Sequence, residues 1–171
     1  MQTGHPPSQQ RPAAQPVRLN FAQGMMFPDI AMILALVVFF SALLGGDGPQ
    51  RLLSDSDTGW HIVTGERILA TGEFPKTEPY SFSRPGGAWF AWEWLADVLL
   101  GWVHMHLGLA GIAFMAAAAI ALSAWLWARL SRAVGGNPFI AGALMGLAMT
   151  CTTIHWLARP HVASWAFLIL W

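Results

Sequence analysis

The chain has 171 residues, 55% of them hydrophobic and only 11% charged, with nine basic and nine acidic side chains in balance. A soluble domain carries roughly 25% charged residues, so this composition excludes an ordinary water-exposed surface and points to a bilayer as solvent. Zero net charge offers no electrostatic footprint for nucleic acid, and a single cysteine, Cys151, excludes an internal disulfide or a paired-cysteine metal site.

Residues 1–24 are rich in Pro, Gln and Ala and read as a disordered cytoplasmic tail. Residues 25–171 read as the transmembrane part. The run IAMILALVVFFSALLGG is a first span over about 27–46, close to the roughly 20 residues that a ~30 Å hydrocarbon core requires. Pro28 and Asp29 suit its start, and Gly45, Gly46 and Gly48 its end.

An external loop follows over 47–92. Within it TGWHIVTGERILATG predicts an amphipathic helix stopped by Gly72 and Pro75. The segment EFPKTEPYSFSRPGGAW, with its prolines and Gly-Gly pair, predicts turns and extended chain. Glu93 to His106 predicts a second amphipathic helix, with Glu93, Asp97 and His104 on one face. Further spans are expected over 107–128 and 138–157. Residues 162–171 begin another, but ten apolar residues cannot cross the core, and the expectation is an amino-terminal piece of a larger protein.

Ten Trp against one Tyr fit rings seated at headgroup depth, or rings stacked on sugar. Arg11 and Arg18 put the N-terminus inside, and Arg129 and Arg132 put the 128–137 turn inside. The 47–92 loop and the turn at Arg159 are then both outside. Eight of the nine carboxylates fall between Asp47 and Asp97, either because water is where charge costs least or because chemistry is gathered there.

Candidate site residues follow from that loop. Asp55-Ser56-Asp57 puts two carboxylates one residue apart, a spacing that can hold a divalent cation or steer hydroxyl groups. Equally, Asp57 can be the N-cap of a helix starting near Thr58. His61 lies one turn beyond Asp57 and is either an acid/base or orienting partner or an interfacial ring beside Trp60. Arg159, before Pro160 and His161, is suited to holding a phosphate in two-pronged fashion, or is a snorkelling arginine. Glu78 and Glu93 are further loop carboxylates open to a site role, and His104 and His106 read as structural.

The string DSDTGWHIVTGERILATGEFPKTEPYSF, then W-x-x-x-E-W-L over Trp89–Leu95, then Arg159-Pro160, resembles the bacterial GT-C-like polytopic membrane glycosyltransferases of the glycosyltransferase 39-like group. Gly59, Glu78 and Tyr80 depart mildly from that pattern. The resemblance implies an all-α transmembrane bundle in the bacterial inner membrane, here truncated. Its first periplasmic loop would carry helices along the membrane and an acid acting as general base or metal ligand. It implies sugar transfer from a polyprenyl-phosphate-linked donor, with Asp57 and its neighbour Asp55 as catalytic carboxylates and Mg or Mn as a candidate ion at the pair. The expected partners are a lipid-linked sugar donor and membrane lipid. The alternative is a non-catalytic polytopic subunit or inactive fragment. A transporter fits less well, because the spans hold almost no ionisable residues at midplane.

Overall fold

The computed structural model describes residues 29–171, so the expected tail, its arginines and the start of the first span lie outside the described residues. Among those described, the chain is all-α, with no β-strand and one isolated antiparallel bridge between Thr77 and Ala88. Six α-helices follow in order: α1 Ile30–Leu44, α2 Gly48–Leu52, α3 Ser56–Thr71, α4 Trp94–Ala133, α5 Pro138–Thr152 and α6 His161–Leu170. A 3-10 turn over Thr153–His155 follows α5. Two stretches are long and apolar enough to cross a membrane, Trp94–Ala133 and Pro138–His155, whereas Ile30–Leu44 and His161–Leu170 are apolar but shorter.

Helix α4 is the axis on which the others pack. The sequence separates an amphipathic helix ending at His106 from a span starting at Leu107. The structure agrees: within Trp94–Ala133 the chain breaks at Gly108, whose φ of 62° and ψ of −163° are non-helical and lie where a side chain is strained, so α4 is two helical segments joined at a kink. Before the bend, α4 packs on α3. Beyond it, Ile112, Ala113, Ala116, Ala117, Ile120, Ala121 and Ala124 are buried. Their small size lets α1 approach with its own buried stripe of Ala31, Ala35, Val38 and Ala42, each about one turn from the last.

The ends of α1 and α4 are tied by charge. Asp29 caps α1 by accepting from Met32 N at 3.0 Å, and its other carboxylate oxygen meets Arg129 at 3.0 Å and Arg132 at 2.7 Å. Helix α5 starts on an Asn137 cap and buries only Met145. It ends earlier than the expected 157. Thr150, Thr152 and Thr153 each turn their hydroxyl back onto a carbonyl three or four residues earlier, a local bond that competes with helix continuation. The first apolar helix is likewise shorter than expected, because Gly45 leaves the helix and Gly46 turns the chain at a φ of 56°.

Candidate functional site: an aromatic cavity over a histidine–carboxylate pair

The start of α3 places the two aspartates. Asp55 is the N-cap, its carboxylate accepting from Asp57 N at 2.8 Å. The alternative in which Asp57 caps the helix is therefore not what forms. Asp57 sits in the first turn and lines the cavity. Arg159 reaches both: its Nε lies 3.1 Å from Asp55 Oδ2, and a terminal guanidinium nitrogen contacts Asp57 Oδ2. The segment before α6 is strapped in place beside this contact. Ala158 N donates to Leu52 O at 2.8 Å, and Thr58 Oγ1 donates to Ala158 O at 3.2 Å. Trp156 is buried beneath, with Arg51 over its ring at 5.6 Å.

One turn further along α3, His61 is 2% exposed. The Asp57–His61 spacing keeps both on the cavity side of the helix, but the carboxylate that bonds the imidazole comes from α4. His61 Nδ1 lies 2.6 Å from Asp97 Oδ1, and His61 Nε2 lies 3.4 Å from Glu93 Oε2. Asp97 is fully buried, and its second oxygen has no hydrogen-bond partner. A further clasp joins His104 Nδ1 to Glu66 Oε1 at 2.6 Å. The predicted shared face of Glu93, Asp97 and His104 is thus the face that α4 turns to α3. His106 instead donates to its own helix, at Trp102 O.

Two glycines let the helices come this close. Gly65 follows His61 by one turn, and Gly101 follows Asp97 by one turn. A Cβ on Gly65 would collide with the Asp97 carbonyl oxygen, and one on Gly101 would lie 2.5 Å from Glu66 N. Backbone therefore meets backbone at the crossing, and the His61–Asp97 pair is set by it.

Above the pair lies a cavity of about 560 Å³. Trp60, Trp89, Phe90 and Trp92 supply its aromatic walls, Asp57, Arg159 and Glu93 its charges, and His61, His155 and His161 its imidazoles. The Trp60 ring stands 3.7 Å from that of His61, and Trp60, Tyr80 and Trp89 form a cluster of rings 6.0–6.3 Å apart. Next to it an apolar crevice of about 130 Å³ is lined by residues including Leu99, Met115, Ala119 and Val162. It shares Arg159 and Pro160 with the larger cavity.

Of the residues singled out in the sequence, Asp55, Asp57, His61, Glu93 and Arg159 come together here. Glu78 does not: its Oε1 accepts from Tyr80 N at 2.6 Å and Ser81 N at 3.1 Å, so it holds the turn that presents Tyr80 to Thr64. Asp97 was legible only as part of a polar stripe. Trp89 and His161 were legible only as members of motifs on the same expected side of the membrane, and His155 carried no signal of its own.

The aspartate pair does not fit a Mg or Mn ion as arranged, because both carboxylates are taken by the Arg159 guanidinium. Among the described residues no group of three or more His, Cys, Asp or Glu side chains gathers to hold a metal. No family model matches the chain, and no curated protein and no solved structure matches it either.

Proposed function

We propose that this is a polytopic membrane protein of the GT-C-like type, and that its cavity transfers a sugar from a polyprenyl-phosphate-linked donor to a hydroxyl at the outer face of the bacterial inner membrane. The observation that carries the reading is the position of Arg159, which borders both the aromatic, charged cavity and the apolar crevice. A lipid-linked sugar needs those three environments side by side. The guanidinium would grip the phosphate, the crevice would take the first isoprene units, and the Trp faces would pack on the sugar ring.

In the structure Arg159 is held by Asp55 and Asp57. Phosphate binding would exchange those carboxylates for phosphate oxygens and release Asp57 into the cavity. Asp57 would then assist the acceptor hydroxyl, and the guanidinium would stabilise the leaving phosphate. The location of Asp29, Arg129 and Arg132 at the end of the bundle opposite to Asp55, Asp57 and Arg159 supports a topology with the cavity outside. The exposed apolar side chains Leu95, Leu99 and Trp102, on one side of α4 before its bend, support that segment lying along the bilayer surface. A non-catalytic membrane subunit is the second reading, favoured by the mutual neutralisation of Arg159 and the aspartates.

The test is transfer by the protein in proteoliposomes, with polyprenyl-phosphate-linked [14C]glucose and an alkyl alcohol acceptor. Asp57→Asn is expected to abolish product while insertion is unchanged. Full activity in that variant removes Asp57 from the mechanism, and absence of any cavity-dependent transfer favours the subunit.

A further inference from the structure

His61 has one nitrogen committed and one facing the cavity. Nδ1 is 2.6 Å from Asp97 Oδ1, and an ionised carboxylate only accepts, so with Asp97 as carboxylate it is Nδ1 that carries the proton and donates. In the neutral ring the lone pair is then on Nε2, at the cavity wall, 3.4 Å from Glu93 Oε2. Its nearest charged neighbour is Glu93, whose side chain is half exposed to the same space. The other charged or titratable groups around the cavity are Asp57 on α3, Arg159 and His155 before α6, and His161 at its start.

We infer that His61 Nε2 is a proton acceptor open to the cavity, with Asp97 as its positioning residue, acting beside Asp57. Its role in transfer rests on the reading above, whereas the proton site itself does not. The unpartnered second oxygen of Asp97 points the same way. A buried carboxylate with half its hydrogen bonds missing is costly unless positive charge forms next to it. A proton arriving at Nε2 creates that charge, flanked by Asp97 on one side and Glu93 on the other.

In the transfer step the acceptor oxygen forms the bond to the anomeric carbon as its proton moves to Nε2. The bond from the anomeric carbon to the phosphate oxygen breaks, and its electron pair stays on the lipid phosphate. The imidazolium then returns the proton to that phosphate or to water, so charge and atoms balance.

Two measurements on the full chain decide it. Long-range 15N–1H NMR of histidine-labelled protein in micelles, assigned with His61→Gln, is expected to show neutral His61 protonated on Nδ1 and gaining its second proton on Nε2. Asp97→Asn should erase that tautomer preference. A ring protonated on Nε2 throughout, or a signature indifferent to Asp97→Asn, overturns the inference whether or not any sugar is transferred. In the [14C]glucose assay, Asp97→Asn should lower kcat by about 10²–10⁴-fold with little change in KM, and Glu93→Gln should lower it less. Wild-type kcat in Asp97→Asn beside a dead Asp57→Asn would sink the role of His61 and leave the transferase standing. An inactive wild type with the Nδ1 tautomer intact would do the reverse. Asp97→Asn and Glu93→Gln preserve side-chain shape, so they remain informative should His61→Gln fail to fold.

Discussion

Gly65 backs directly onto the carbonyl of Asp97, with no room between them for a single methyl group. The contact is backbone to backbone, so no side-chain rotamer can relieve an intrusion there. Gly65→Ala is expected to destabilise the protein by about 3 kcal/mol, the upper end of the usual cost of overpacking, and to lengthen the His61–Asp97 contact. Gly101→Ala should do the same from the other helix. Gly59, exposed on α3 with nothing near its would-be Cβ, is the control. Gly59→Ala should leave stability equal or raise it by about 0.5–1 kcal/mol through helix propensity. Thermal unfolding in one detergent, followed by helical circular dichroism, separates the three.

The bend in α4 makes a second prediction. Gly108 takes a backbone conformation that a side chain enters at a cost of about 1–3 kcal/mol. A Gly108→Ala chain avoids that strain if the two segments of α4 run on as one helix, which is expected to move α3 and its aspartates away from α6. A lowered unfolding midpoint together with a longer spin-label distance between positions 67 and 163 is expected. An unchanged distance at full stability would show that the bend does not set the position of α3.

Asp29 combines two roles that substitution can divide. Asn in its place keeps an acceptor for Met32 N but loses the attraction to Arg129 and Arg132, whereas Ala loses both. Losing the cap costs about 1 kcal/mol, and each partly exposed ion pair about 0.2–1 kcal/mol. Asp29→Ala should therefore fall below Asp29→Asn by about the cap alone. Only the gap between wild type and Asp29→Asn should shrink at high salt. Equal midpoints for the two variants would mean the cap contributes nothing.

Arg159 is argued to exchange carboxylates for phosphate. Asp55→Asn/Asp57→Asn should then bind dodecyl phosphate more tightly than wild type, by roughly the factor of five that about 1 kcal/mol of lost competition represents. Arg159→Gln should bind it weakly. Isothermal titration in micelles measures both, and equal affinity in wild type and the double variant would show that no exchange takes place.

Much of this arrangement is legible in the chain because it is local. The amphipathic period of α3, its Gly72 stop and the Asp55-Ser56-Asp57 start all concern residues within a few turns of one another. The shared face of Glu93, Asp97 and His104 followed from spacing alone. Partner choice was not legible. Spacing placed His61 beside Asp57, while a glycine-permitted helix crossing gave it Asp97, and a crossing depends on two distant segments meeting. The same limit hid that Trp89, His155 and His161 form one cavity wall, although the first and last stood in motifs expected on the same side of the membrane. Glu78 shows the opposite case: its turn-holding bonds to Tyr80 and Ser81 are the short-range role that a carboxylate ahead of a turn commonly takes.

The hydrogen bond from Thr58 to Ala158 spans one hundred residues of chain. Synthesis runs from the N-terminus, so Asp55 and Asp57 emerge long before the arginine that neutralises them. Until α4 and α5 are laid down, the two carboxylates lack the guanidinium that bridges them in the finished fold. Helix α3 can settle early on the first part of α4 through His61 and Asp97, but closing the longer loop to Ala158 carries an entropic cost that only the finished contacts repay. The cavity is therefore a late product of assembly, and a nascent chain halted before Arg159 holds the parts of the site without its shape.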